Sequence, residues 1–148
     1  MSRTFSEIAF TPAVRAMQTR MGSRANYART DAGTESKEPF GPDEAAFIEA
    51  RDGFYQATVS ETGWPYVQFR GGPAGFLRVL DGHTLGYADF RGNRQYISDG
   101  NLAGNDRVAM ILMDYARRAR LKILGRVRVV GLEEDPALVA RLEVPGYR

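Results

Sequence analysis

The spacing of apolar residues changes character along the chain. From Thr11 to Arg24 it is helical: Thr11 is a candidate N-cap, Pro12 suits a first turn, and Val14, Met17 and Met21 share a face. Residues 25–40 are polar and rich in Gly, Ser, Thr and Asp, the pattern of a linker or mobile loop. A second helix is expected from Pro42 to Arg51, with Ala46, Phe47 and Ala50 inward. Strand patterns then follow at 53–60 and 65–70, separated by the turn Glu61-Thr62-Gly63-Trp64. After a Gly-rich break at 71–75, runs at 76–80 and 83–90 flank Asp81-Gly82, a dipeptide that suits the positive φ of a two-residue hairpin turn. Arg94–Leu102 reads as a short helix, with Tyr96 and Ile97 inward. Residues 107–115 form an apolar run, as in a strand buried on both faces, and 119–132 alternate Leu121 and Ile123 with Lys122, Arg126 and Arg128. Asp135-Pro136 opens a C-terminal helix over 135–142.

These elements predict a mainly β protein: a six-stranded antiparallel barrel with a few peripheral helices, formed by residues 42–148 after an N-terminal helix and linker at 1–41. A barrel that narrow fills its own interior. A ligand must then bind outside it, often where two subunits meet.

Composition narrows the chemistry. A chain of 148 residues suits one domain, and it has no cysteine, which excludes disulfides, thiolate nucleophiles and thiolate metal sites. The single histidine, His83, sits at the expected hairpin tip, so no metal centre is expected and a Ser–His–acid triad has one residue to pass through. No apolar run approaches the ~18 residues of a membrane span. The N-terminus lacks a secretory signal pattern, so a cytoplasmic protein is expected.

Charge is uneven. Residues 61–132 carry eleven basic against six acidic side chains, whereas 1–60 carry seven against eight and 133–148 two against four. Eighteen of the 20 basic residues are arginine, the bidentate donor for phosphate and carboxylate. Three segments could hold an anion. Tyr87–Gln95 joins a strand end to a helix start and carries Arg91, Asn93 and Arg94; it is either a polar turn or a phosphate cradle. In Gln68-Phe69-Arg70-Gly71-Gly72, Gln68 and Arg70 share a strand face beside glycines that admit a ligand, or else form a plain edge strand. Residues 117–132 hold six cations and no acid, which is a solvated face, a phosphate site or a nucleic-acid surface, though without interleaved aromatic residues.

The ordered set Pro-Tyr-Val-Gln-Phe-Arg-Gly-Gly-Pro, Asp-Gly, Tyr-Ala-Asp-Phe-Arg-Gly-Asn-Arg-Gln, Asn-Asp-Arg-Val-Ala and Arg-Leu-Lys-Ile-Leu-Gly-Arg-Val-Arg-Val-Val resembles the pyridoxamine 5'-phosphate oxidase-like, FMN-binding split-barrel superfamily, over residues 42–132. It is most similar to the branch described as predicted flavin-nucleotide-binding proteins. The resemblance implies a homodimer of split barrels with FMN in two interface clefts. It places cofactor contacts at Gln68, Phe69 and Arg70, at Tyr87 and Ala88, at Asn93 and Arg94, and at Arg120 beside the flavin ring. The oxidases' Ser-Arg-Lys phosphate motif becomes Gly92-Asn93-Arg94 here, which keeps one cation and loses another. The C-terminal Trp- and Arg-containing stretch that holds their substrate has no counterpart, so pyridoxamine phosphate oxidation is not expected, and the chain end at Arg148 is consistent with a truncated protein.

The implied function is an FMN-binding protein acting as an oxidoreductase on a small-molecule redox substrate. FAD, a deazaflavin or haem are the other cofactors known on this scaffold. The alternatives are a non-enzymatic flavin carrier or sensor, and a basic barrel that binds nucleic acid.

Overall fold

A computed structural model describes residues 3–31 and 39–147. The chain forms two compact units, one up to Pro39 and one from Phe40 onward.

The first unit is helical. α1 (Phe5–Ala9) starts at a capping box, in which Thr4 and Glu7 satisfy each other's backbone N–H groups. α2 (Pro12–Arg20) is capped by Thr11 as expected, its side chain accepting from the Val14 amide. Val14, Met17 and Met21 are exposed. α3 (Arg24–Asp31) corrects the expected loop: the first half of the 25–40 segment is helix, and 32–38 lie outside the described residues.

The second unit opens with α4 (Pro42–Glu49), then β1 (Gly53–Val59), β2 (Pro65–Gly71), β3 (Arg78–Val79) and β4 (Leu85–Gly86). α5 (Ile97–Gly104), β5 (Arg107–Asp114), β6 (Ala119–Arg126) and α6 (Pro136–Leu142) follow. Six strands are present, but they do not close into a barrel: β2-β1-β5-β6 form one antiparallel sheet and β3-β4 a separate pair. The runs at 76–80 and 83–90 yield only two paired residues each, because Phe76 and Leu77 turn into the core and the chain from Tyr87 leaves the pair to reach the cleft. Gly82 is not among the residues with positive φ; the turn is held instead by the Asp81 carboxylate accepting from the His83 amide (2.8 Å).

Register sorts the large sheet into two faces. Phe54, Gln56 and Thr58 of β1 stand beside Arg70, Gln68 and Tyr66 of β2 and beside Met110 of β5 on the inner face. There Phe54, Phe76, Leu77, Met110, Leu112 and Ile48 make the core, with Phe54 and Phe76 stacked at 5.9 Å. Ile48 is the buried residue of α4, whereas Ala46 and Ala50 are exposed. β5 is buried on one face only: Val108, Met110 and Leu112 point inward, and Ala109, Ile111 and Met113 line the outer face. The outer face also carries Val67 (61% exposed), Phe69 (57%) and Tyr55 (37%), with Lys122 and Arg120 at its β6 side.

Candidate functional site

A cleft of about 420 Å³ opens between the edge strand β2 and the segment from Asp89 to Asp99. Ligand sites commonly span ~300–1,000 Å³. Local sequence makes both walls. Alternation along β2 turns Gln68 and Arg70 inward and Phe69 outward. The opposite wall is backbone in unusual conformations: Arg94 (φ 63°) and Tyr96 (φ 55°) are both left-handed, so the chain turns sharply before α5 begins at Ile97. Two strained non-glycine residues in three positions are of the kind that concentrates at ligand sites.

Polar groups tie the walls together. Ser98, fully buried in the first turn of α5, donates to Gln68 Oε1 (2.7 Å), and Asn101 Nδ2 donates to Thr58 Oγ1 (3.0 Å). Tyr87 donates to Gln56 Oε1 (2.7 Å), and its ring lies 5.6 Å from the Arg70 guanidinium carbon. Burial raises the Tyr87 hydroxyl pKa above its ordinary 10.0, with Arg70 opposing that shift. Arg70 is ion-paired with Asp89, and its own Nε is buried with no hydrogen-bond partner.

The cleft is cationic but not uniformly so: Arg70, Arg91 and Arg94 face Asp89 and Asp99. Planar guanidinium groups in this number fit a phosphate-bearing ligand, and the orphaned Arg70 Nε marks a donor that the protein alone does not satisfy. Among the described residues no cluster of His, Cys, Asp and Glu could hold a metal.

The expected site residues fall into two groups. Gln68, Arg70, Asn93 and Arg94 meet in the cleft. Tyr87 lies behind Arg70, and Ala88 is half-buried between Tyr87 and Asp89 without lining the cavity. Phe69 faces the opposite side of the sheet, where its ring packs against Tyr55 at 5.2 Å and covers Gly53. Arg120 sits in β6 opposite Met113, across the sheet from β2, and does not line the cleft. Sequence reasoning missed Tyr96, Ser98 and Asp99 as lining residues and Gln56 as their support, and gave Asp89, inside the 87–95 segment, no role of its own. A polar Gln56 and Thr58 at inward positions of an otherwise apolar strand was the available signal for that support.

Comparison with known proteins supplies the family. No curated protein matches this chain. A solved structure of a candidate pyridoxamine 5'-phosphate oxidase from Lactobacillus delbrueckii has a TM-score of 0.55 at 21% identity, over 76% of this chain and 87% of its own. A Clostridium acetobutylicum protein of the pyridoxinephosphate oxidase family, related to general stress protein 26 of B. subtilis, has 0.51 at 18%, over 75% and 71%. HupZ from Group A Streptococcus, in variant form, has 0.47 at 17%, over 58% of this chain, which spans 66% of it. The first two likenesses establish a shared fold. The family model for pyridoxamine 5'-phosphate oxidase matches residues 41–144, so the chain belongs to the pyridoxamine 5'-phosphate oxidase family of split-barrel, flavin-binding, oxidoreductase-like proteins.

Proposed function

We propose that the protein binds FMN in the cleft between β2 and residues 89–99 and acts as an FMN-dependent oxidoreductase on a small molecule. The observation that carries this reading is the convergence of Arg70, Arg91 and Arg94 on one cavity of ligand size, with a buried Arg70 nitrogen left unpaired. Arg70, Arg91 and Arg94 hold the phosphate, helped by the Asn93 amide. Gln68, whose carbonyl oxygen is taken by Ser98, keeps its Nε2 as a donor for a ring carbonyl. Bound FMN would supply the electron transfer that no side chain here provides.

The outer sheet face supports a homodimer. Val67, Phe69, Tyr55 and Ile111 form an apolar surface that continues to Arg120. In the interface-cleft arrangement that the family resemblance implies, a second copy docked there would supply Arg120 to its partner's cleft. A flavin carrier on the same cleft is the second reading. The cleft's lining residues include no histidine, cysteine or lysine, so proton transfer to a substrate would fall to Asp89, Asp99 or Tyr96. The visible spectrum of the purified protein and the mass of the released ligand test the flavin. Oxidation of reduced nicotinamide by the loaded protein separates enzyme from carrier.

A further inference from the structure

Arg70 is engaged before any ligand arrives. Its guanidinium pairs through Nη1 with Asp89, a residue on the opposite wall of the cleft. The pairing is lopsided: the Arg70 side chain is 11% exposed, that of Asp89 51%. A carboxylate that wet is a weak holder, because water competes for it at every moment. Arg70 nevertheless stays in a position that buries its Nε without a partner, a costly state for a charged donor. The Tyr87 ring, fixed from behind by Gln56, leaves the guanidinium a flat surface on which to turn. Arg70 is therefore poised: weakly held at one end, unsatisfied at the other, and facing a cleft that holds two further arginines.

We propose that Asp89 is the cleft's built-in competitor for its anionic ligand. It holds Arg70 until a phosphate group displaces it, and so determines how strongly the cleft prefers a phosphorylated ligand to its neutral counterpart. This rests on the cleft being the ligand site. A ligand without an anionic group cannot displace Asp89 and leaves the pair intact. A phosphorylated one exchanges a single carboxylate contact for a bidentate contact that also reaches Nε. Asp99, on the first turn of α5, adds a second negative group to the cleft, so removal of Asp89 alone does not turn the site into an indiscriminate anion trap.

The test compares FMN, riboflavin and inorganic phosphate on the wild type, Asp89→Asn, Arg70→Gln and the double variant. We expect Asp89→Asn to bind FMN about 10-fold tighter and riboflavin within about 2-fold of wild type, with the gain absent when Arg70 is also replaced. An unchanged or weaker FMN affinity in Asp89→Asn overturns the proposal and makes Asp89 a positioning partner of Arg70. A second readout needs no flavin. Inorganic phosphate should shift the NMR signal of the Arg70 Nε–H in the wild-type protein, and should do so at lower concentration in Asp89→Asn. If millimolar phosphate leaves that signal in place, the displacement does not occur. Absence of FMN binding together with a responsive Arg70 signal would fault the flavin reading and leave the competitor intact.

Discussion

Ser98 donates its hydroxyl to Gln68 Oε1 across 2.7 Å, and this bond joins the helix that follows the arginine loop to the strand that faces it. Ser98 is only 2% exposed, so water cannot replace it. Ser98→Ala should therefore cost about 1–3 kcal/mol. At ~3 °C per kcal/mol for a protein of this size, Tm should fall by roughly 3–9 °C. Differential scanning calorimetry of the two proteins checks this; an unchanged Tm would show that the walls are held elsewhere.

Arg94 separates ligand binding from stability. Its backbone is left-handed (φ 63°), a conformation that glycine adopts freely. Arg94→Gly should leave the denaturation midpoint unchanged or raised. It should also weaken FMN roughly 10- to 150-fold, the loss of one charge-assisted contact worth about 1.5–3 kcal/mol. Riboflavin, which lacks the phosphate, should lose much less. Equal losses for the two flavins would remove Arg94 from phosphate recognition.

Tyr87 gives a signature at high pH. Its folded-state pKa is raised above 10.0 by burial, so the unfolded chain ionises first as pH rises. The contribution is full below pH 10 and declines as pH climbs from there toward the folded value. Tyr87→Phe should flatten the fall in urea midpoint above pH 10. It should also lower stability at neutral pH by about 1–3 kcal/mol, because Gln56 Oε1 loses its donor.

Asp114 gives the opposite sign. The Arg117 amide (3.0 Å) and then Arg51 (3.3 Å) hold its carboxyl below the ordinary value of 3.8. Its stabilising contribution is complete above pH 3.8 and is lost as pH falls from there through the lower folded value. Asp114→Asn should lose stability at neutral pH and show a shallower decline below pH 4, measured by urea denaturation.

The outer face predicts assembly. The wild type should run near twice 16.4 kDa, and Phe69→Asp, placing a charge among Val67, Tyr55 and Ile111, should run as a monomer. In the dimer, Arg120→Gln should lower the bound-flavin potential by some tens of millivolts, since ~30 mV corresponds to about 1.4 kcal/mol for two electrons. In the Phe69→Asp monomer that substitution should have no effect, because Arg120 lies across the sheet from its own cleft. Sedimentation and potentiometric titration read the two outcomes.

Alternation in 53–60 and 65–70, the apolar run at 107–115 and the Asp-Pro start of α6 are legible in the sequence because each reflects local geometry: two residues per strand repeat, one cap per helix. The same periodicity puts Gln68 and Arg70 on one face. It also places a helix after the arginine segment, although that helix begins at Ile97 and not at Arg94. It does not determine how far a strand pairs, so 76–90 read as two long strands and folded as two short ones. Nor does it say which residues distant in sequence meet. Only tertiary structure brings Asp89 to Arg70, Tyr87 to Gln56 and Ser98 to Gln68, pairs separated by 19, 31 and 30 positions. Alternation already turns Phe69 away from Gln68 and Arg70, whereas only the strand order puts Arg120, also expected at the ligand, on β6 across the sheet from β2. Local spacing fixes the direction of a side chain relative to its own strand, whereas packing against the core decides which face of the sheet closes a cleft and which is left bare.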